Sequence, residues 1–295
     1  LAGVREELDA APAPDEVADL LTRFLDVALA KWDDRFANPT YLGLGLLPLP
    51  TEEIYGHDTA MASLGYDRLL VHLIADLMRF ETGVADGTID LLPELRPEPR
   101  TTGKRCRLEL QVAVPAARRL GWGDLLEVAD PVASARRLWT RVDTDLSPLE
   151  RRRLQLTMLP VSLVHDEYQF IRVLQSFEAT FALMAAQLNA AIHELTAGNT
   201  ELSAALISAA TATLHDAAPL FSLVGTMRVE AFQTFRVFTE GASAIQSRNY
   251  KLVEALCRRP DESRLDSAAY HSVPEVRQRV LTGHQTLDEA YLATR

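Results

Sequence analysis

Apolar residues recur with the period of an α-helix over most of this chain. In one clear stripe, successive members lie three, four or seven residues apart: Leu163, Phe170, Leu174, Phe177 and Phe181. Such spacing places side chains on one face of a helix. The same period predicts a helix from Pro14-Asp15 to Trp32, and further helices at residues 59–80, 131–142, 147–159, 165–196, 200–222, 228–239, 243–258 and 274–292.

Three segments depart from this period. Residues 38–50 hold three Pro and two Gly, which predicts an irregular connection, and residues 84–103 are expected to form a loop. Within CRLELQVAV, apolar residues alternate with mostly polar neighbours from position 108 to position 114, which is the pattern of a half-buried strand. We therefore predict a mainly α fold, a helical bundle with at most a small β-hairpin near residues 105–114.

The length of 295 residues allows one large domain or two that share a core. We expect an N-terminal helical half with the irregular segments at residues 1–150 and a second helical half at 151–295, which together form one shared-core domain. A weak internal similarity accompanies this division. His57-Asp58 and His165-Asp166 both precede a long predicted helix.

Composition narrows the classes of protein. The chain is 47% hydrophobic and 24% charged, which is typical of a globular protein, and its net charge of -11 argues against nucleic acid as a partner. No apolar run reaches membrane-spanning length, so no membrane is expected. The two Cys form neither a disulfide framework nor a zinc pattern, which favours the cytoplasm.

Several common catalytic and nucleotide-binding motifs are absent from the sequence. It contains no P-loop, no GxGxxG after a strand, no GxSxG and no HExxH. It also lacks CxxCH, so any haem would be bound non-covalently.

Two of the seven histidines, His57 and His165, are each followed directly by Asp just ahead of or at the start of a long predicted helix. A ligating or catalytic imidazole is usually oriented by a carboxylate or a carbonyl. The alternative for any single histidine is a surface position or a satisfied core position. His72 shares a helix face with Arg68, Asp76 and Arg79, which predicts that it faces solvent.

Arg236 lies among three phenylalanines, just before the small residues 241–243. A buried arginine has to be paired, and its planar fork suits a carboxylate. The partner could be a ligand carboxylate, or internally Glu230 or Glu240.

These stretches together resemble the tryptophan 2,3-dioxygenase superfamily of histidine-ligated haem enzymes. The resemblance covers roughly residues 160–292, and the residue that stands in place of the family's distal histidine is Leu174. The matching residues of the first stretch are His165, Asp166, Glu167, Phe170, Ile171, Gln175 and Glu178. Those of the second stretch are Phe235, Arg236, Gly241, Ser243, Gln246, Ser247, Tyr250 and Glu254.

Within that superfamily, the chain more closely resembles the haem-dependent tyrosine hydroxylases of natural-product pathways. The resemblance implies a pocket for haem b inside the bundle, conversion of L-tyrosine to L-DOPA with hydrogen peroxide in antibiotic biosynthesis, and a homo-oligomer. It implies an axial histidine, for which we take His165, with His72 as second choice, and a distal acid/base, for which we take His57. Phe170 is then expected beside the haem. Arg236 and Ser243 are expected at the substrate.

Two other functions remain open on the sequence. One is a haem oxygenase that uses O₂ on tryptophan or a related substrate. The other is a helical ligand-binding module without catalysis, which the leucine at position 174 favours.

Overall fold

The computed structural model describes residues 2–9, 16–123, 130–239 and 246–294. The mainly α fold predicted from the sequence is confirmed: the described residues contain no β-strand, and one isolated parallel bridge joins Glu94 to Val164. The helices of the first half are α1 Ala2–Asp9, α2 Glu16–Trp32, α3 Asn38–Tyr41, α4 Glu52–Tyr55, α5 Thr59–Ala85, α6 Pro99–Arg119, α7 Pro131–Asp145 and α8 Pro148–Leu156.

The second half is also helical. Its described helices are α9 His165–Thr196, α10 Thr200–Ala217, α11 Pro219–Val224, α12 Val229–Phe235, α13 Arg248–Cys257, α14 Glu262–Leu265, α15 Ala268–His271, α16 Pro274–Leu281 and α17 Leu287–Ala293. Short 3₁₀ helices lie at Leu44–Leu46 and Arg236–Thr239. No helix in the described ranges is both long enough and apolar enough to cross a bilayer.

The chain forms two compact units. The first comprises Leu1–Pro48, Leu70–Gln175 and Pro219–Ala242, and the second comprises Leu49–Leu69, Ser176–Ala218 and Ser243–Arg295. Each unit takes residues from both sides of position 150, where the two predicted halves meet. The prediction of a shared core stays a prediction.

Local sequence explains where several helices begin. Asp130 caps α7 by accepting hydrogen bonds from two backbone N–H groups, and Pro131 occupies the first turn, where its missing N–H has no cost. Ser147 and Glu150 form a reciprocal capping box at α8, and Thr286 and Glu289 do the same at α17. The observed starts of α7 and α8, at residues 131 and 148, are close to the predicted starts at 131 and 147. The single helix predicted at residues 274–292 is wrong, because the structure has two helices there, α16 and α17, and Thr286 caps the second.

The strand predicted from CRLELQVAV is wrong, because residues 105–114 lie inside α6. The alternation there extends over only a few residues, whereas Arg, Leu, Glu, Gln and Ala favour a helix and Pro99 lies at its first turn. The buried positions follow the helical period. They are Thr102, Arg105, Cys106, Glu109, Val112, Ala113, Ala116 and Ala117.

The segment at residues 38–50 is an ordered connection that contains α3 and a 3₁₀ turn. Its turn requires a glycine at position 43. Gly43 has φ +60°, and a Cβ on it would lie 3.4 Å from the Cα of Thr157. The left-handed conformation therefore disfavours any other residue there.

Each unit has its own apolar core. In the first unit, Leu20, Val27 and Leu46 form a buried cluster on which Phe24 and Leu149 pack. In the second unit, the rings of Phe177 and Phe181 lie 5.9 Å apart, and Tyr250 meets Phe181 edge-on at 5.3 Å. Aromatic pairs at such distances add stability beyond the area that they bury.

In a strand, Val112 and Val114 would lie on one face, whereas in the helix α6 they point in different directions. Truncating the two valines should therefore lower the free energy of unfolding by unequal amounts. Val112 is fully buried and Val114 is half-buried. We expect Val112→Ala to lower the free energy of unfolding by about 1–3 kcal/mol, because it opens a cavity in a packed core. Val114→Ala is the matched control and should cost clearly less. Urea unfolding of both variants measures the difference, and equal losses would contradict the helix.

Candidate functional site

The His165-Asp166-Glu167 triplet forms the first turn of α9, and all three side chains are buried, with at most 1% of any of them exposed. Acidic side chains in a first turn interact favourably with the positive end of the helix dipole. Glu167 also holds the preceding segment: its carboxylate accepts hydrogen bonds from the backbone N–H groups of Val161 (2.7 Å) and Ser162 (2.8 Å) and from the Tyr41 hydroxyl (2.8 Å). Glu167 is therefore fully occupied in positioning the chain.

Asp166 belongs to a buried ion cluster centred on Arg105 of α6. The Arg105 guanidinium donates to Asp166 Oδ1 at 2.7 Å, to Glu81 Oε1 at 2.8 Å and to Thr226 Oγ1 at 3.1 Å. Asp166 also accepts a hydrogen bond from the Arg228 backbone N–H at 3.0 Å. Because these ions lie away from water, their mutual pairing is what makes their burial tolerable.

Glu81 of α5 is the second carboxylate of this cluster. Burial by itself would raise its pKa, but the adjacent His165 and Arg105 side chains hold the pKa below its usual value. Glu81 is therefore ionised at neutral pH and forms a charged pair with Arg105.

Glu109 lies one turn beyond Arg105 on α6 and, unlike the ionised Glu81, is neutral. It is fully buried, and neither carboxyl oxygen has a hydrogen-bond partner among the described residues. Burial raises the pKa of Glu109 well above its usual value, and the negative charge of Glu81 raises it further, while Arg105 opposes the rise. Glu109 is therefore the neutral acid of the cluster.

His165, the candidate axial ligand, is packed within this cluster. Its Nε2 lies 3.2 Å from Oε1 of Glu81, at an orientation that does not give a hydrogen bond. The Phe80 ring stacks on the imidazole with ring centres 4.7 Å apart, and Tyr168 stacks on Phe80 at 3.9 Å. The imidazole is fully buried by these protein groups.

These surroundings do not fit an iron porphyrin at His165. Its unbonded Nδ1 atom and the nearby Glu81 carboxylate match the chemistry of an oriented ligand. However, Phe80 covers the ring, and no part of it faces open space. Pockets for ligands of drug size or larger measure about 300 Å³ or more, and the enclosed imidazole of His165 borders no open space in which a haem could lie.

His72, the second candidate ligand, is only 4% exposed, so the prediction that it faces solvent is wrong. Residues of α7 and α8 cover this side of α5 and leave a cavity of about 100 Å³ that His72 lines. That cavity is well below the volume of a porphyrin pocket.

His57, the candidate distal acid/base, is exposed in the turn between α4 and α5. Its ring stacks on that of His193, with centres 5.0 Å apart and planes 13° apart. Both residues belong to the second unit, whereas His165, Phe170 and Arg236 belong to the first.

Phe170 is the centre of an aromatic cluster in the first unit. Its ring centre lies 5.3 Å from Phe235, 5.8 Å from Phe232 and 6.2 Å from Tyr41. Arg236 follows directly in the 3₁₀ helix and is exposed. The cluster is thus apolar, with a cation next to it in the chain.

The sequence offered two internal partners for Arg236, namely Glu230 and Glu240. Within the described residues, no ion pair joins Arg236 to Glu230. Glu240 lies outside the described residues, and so does Ser243, the second candidate for substrate contact. The pairing of Arg236 with Glu230 is therefore not observed.

A bare metal ion has no evident ligand set in the described ranges. Nowhere in them do three or more His, Cys, Asp or Glu side chains converge so as to hold one. The cluster around Arg105 combines acids with a cation, which disfavours a metal ion there.

Comparison with known proteins adds no further assignment. No family model matches the chain, and neither a curated protein nor a solved structure matches it significantly.

Three residues of the ion cluster were not predicted from the sequence: Glu81, Arg105 and Glu109. A usable indication existed, because Arg105 and Glu109 are four residues apart, on one face of a helix, among apolar residues. The incorrect strand assignment placed both on the polar face of a half-buried strand, together with Arg107 and Gln111, and so gave no reason to expect them to be buried.

The neutral state of Glu109 predicts a pH-dependent stability difference. Between its usual pKa and its raised folded pKa, the folded state binds a proton that the unfolded state has lost, so stability falls as pH rises by up to about 1.4 kcal/mol per pH unit. Glu109→Gln cannot lose this proton. We expect wild type and variant to be similar near pH 4.5 and the variant to be more stable at pH 8.

Urea unfolding at the two pH values measures this difference, with the exposed Glu230→Gln as control. A stability gain from Glu109→Gln that is the same at both pH values would show that Glu109 is ionised when folded.

Proposed function

We propose that this protein binds an aromatic amino acid and, as the sequence resemblance implies, hydroxylates L-tyrosine to L-DOPA with hydrogen peroxide in the biosynthesis of a natural product such as an antibiotic. One structural observation supports recognition of this substrate class: an exposed arginine follows an aromatic cluster directly in the chain. The proposal also includes a cytoplasmic protein that forms a homo-oligomer and does not bind nucleic acid.

Arg236 supplies the polar part of this recognition. A guanidinium can grip a carboxylate through two parallel hydrogen bonds, which fixes the position of the ligand and its orientation. Phe232 and Phe238 are half-buried on either side of Arg236 in sequence and offer apolar surface to an aromatic ring. The amino acid would therefore be held by its carboxylate at one end and its ring at the other.

The reaction requires haem b, and the arrangement of His165, His72 and His57 does not fit it. His165 is enclosed, His72 faces a small cavity and His57 is exposed beside His193. We therefore assign no axial ligand and derive no chemical step from these histidines.

A second candidate function is a helical ligand-binding module without catalysis. The closed packing around His165 favours it, because Phe80 and Glu81 occupy the space that a bound cofactor would need. The two candidates differ in whether the protein takes up haem.

The deciding experiment supplies haem to the purified protein and records the absorption spectrum before and after addition of L-tyrosine. Peroxide is then added, and L-DOPA is measured by chromatography. The hydroxylase requires a Soret band that shifts with L-tyrosine, followed by L-DOPA. A colourless protein that still binds L-tyrosine would establish the non-catalytic module.

The role of Arg236 predicts a loss that depends on the ligand's carboxylate. Hydrogen bonds to a charged group contribute about 1.5–3 kcal/mol, so Arg236→Gln should weaken L-tyrosine binding roughly tenfold to a hundredfold. Tyramine lacks the carboxylate and should bind wild type and variant alike. Calorimetric titration measures all four combinations, and an equal effect on both ligands would remove Arg236 from the carboxylate site.

A further inference from the structure

The solvent-facing side of α6 carries a line of basic residues. Positions along it recur at spacings of four, three, four, four and three residues, which places them on one helix face, opposite the buried Arg105 and Glu109. We call this line the basic face of α6. It consists of Arg100, Lys104, Arg107, Gln111, Pro115 and Arg118. Because an α-helix rises about 1.5 Å per residue, the line is about 27 Å long.

The cations of the basic face are not neutralised by neighbouring acids. No ion pair or hydrogen bond joins the side chains of Arg100, Lys104 and Arg107 to a described residue. Glu109 is the acid that α6 contains, and it is buried on the opposite side. A helix face whose only role is to meet solvent usually mixes both signs of charge in i, i+4 pairs. The basic face carries a single sign.

Two helices that pack against α6 add no exposed acid. They are α7 and α11. α11 contains no charged residue, and the acids of α7, Asp143 and Asp145, are half-buried and paired with Arg151 and Arg141. Glu98, the acid nearest in sequence, lies just before the line begins. The basic face is therefore locally positive on a chain whose net charge is -11.

The surroundings of the basic face favour carboxylates of a protein over other anions. A long polyanion such as nucleic acid would extend past one helix face and meet the acidic remainder of the chain. A bilayer surface requires large apolar side chains beside the cations, and the exposed positions of α6 hold none. An acidic helix laid alongside α6 would match the spacing of the cations along the line.

A second copy of this chain does not supply that helix from its described residues. The acids in the middle of α2 are already paired, Asp19 with Arg23 and Asp26 with Arg5. Among the helices that the structure describes, none presents three exposed, unpaired acids on one face. The complementary helix therefore belongs to a different protein.

We propose that the basic face of α6 is a docking site for an acidic helix of a different protein. The carboxylates of that helix are spaced by four and three residues and pair with Arg100, Lys104 and Arg107. Exposed ion pairs are individually weak and are screened by salt, so the complex is transient and depends on ionic strength. The basic face does not include Arg236 or its aromatic neighbours, so this inference does not rest on the proposed function.

Two synthetic helical peptides of identical composition and charge are the probes. One carries its glutamates on a single face, at spacings of four and three residues, and the other distributes them around the helix. Each peptide carries a fluorophore, and its anisotropy is recorded while the complete chain is added at low ionic strength. We expect the single-face peptide to bind about fivefold more tightly, and added salt to weaken its binding.

Paired variants separate the position of the charges from their number. Lys104→Gln with Arg107→Gln should weaken binding of the single-face peptide about fivefold, because two exposed ion pairs are lost. The matched control is Arg152→Gln with Arg259→Gln. It removes two exposed cations that lie outside α6 and have no ion pair with a described residue. The control loses the same charge and should retain wild-type affinity.

Four results would overturn the proposal. The first is equal affinity of the wild-type chain for the two peptides, and the second is an equal loss of affinity in the two double variants. The third is tighter binding of polyphosphate or of anionic phospholipid vesicles than of the single-face peptide, which would assign the face to a polyanion or a membrane. The fourth is a wild-type dimer in sedimentation that Lys104→Gln with Arg107→Gln dissociates, which would assign the face to a second copy. The peptide comparison uses the wild-type chain, so it decides even if a variant does not fold.

Discussion

The Arg105 guanidinium, held between Glu81 and Asp166, is the interaction on which the first unit depends. It joins α5, α6 and the start of α9, and it also reaches Thr226 before α12. All three ions are at most 1% exposed. Because each would be strongly destabilising without its partners, the helices have to approach in one arrangement for the charges to be paired.

The same cluster explains why three ionisable residues open a largely apolar helix. Asp166 completes the pairing of Arg105, and Glu167 fixes the segment that leads into α9 through Val161 and Ser162. His165 packs beneath Phe80. The three residues of this triplet therefore have structural contacts here that account for their burial.

The sequence predicted the helical architecture because periodicity and caps are local properties. It failed at residues 105–114, where a few alternating residues outweighed the longer helical context, and at His72, whose burial depends on α7 and α8. Local sequence patterns could not predict the pairing of the ions in this cluster, since Glu81, Arg105 and Asp166 are far apart in sequence. The cavity that His72 lines likewise exists only after three helices have packed.

Unfolding of Arg105→Met, beside Arg107→Met, tests the importance of the ion cluster most directly. Methionine preserves much of the side-chain length but removes the charge, and Arg107 is an exposed neighbour on the same helix. Removing one partner from a buried ion pair typically costs about 3–5 kcal/mol, whereas an exposed change costs about 0.5 kcal/mol or less. The cluster's role predicts this contrast in urea unfolding. A similar, small loss in both variants would contradict it.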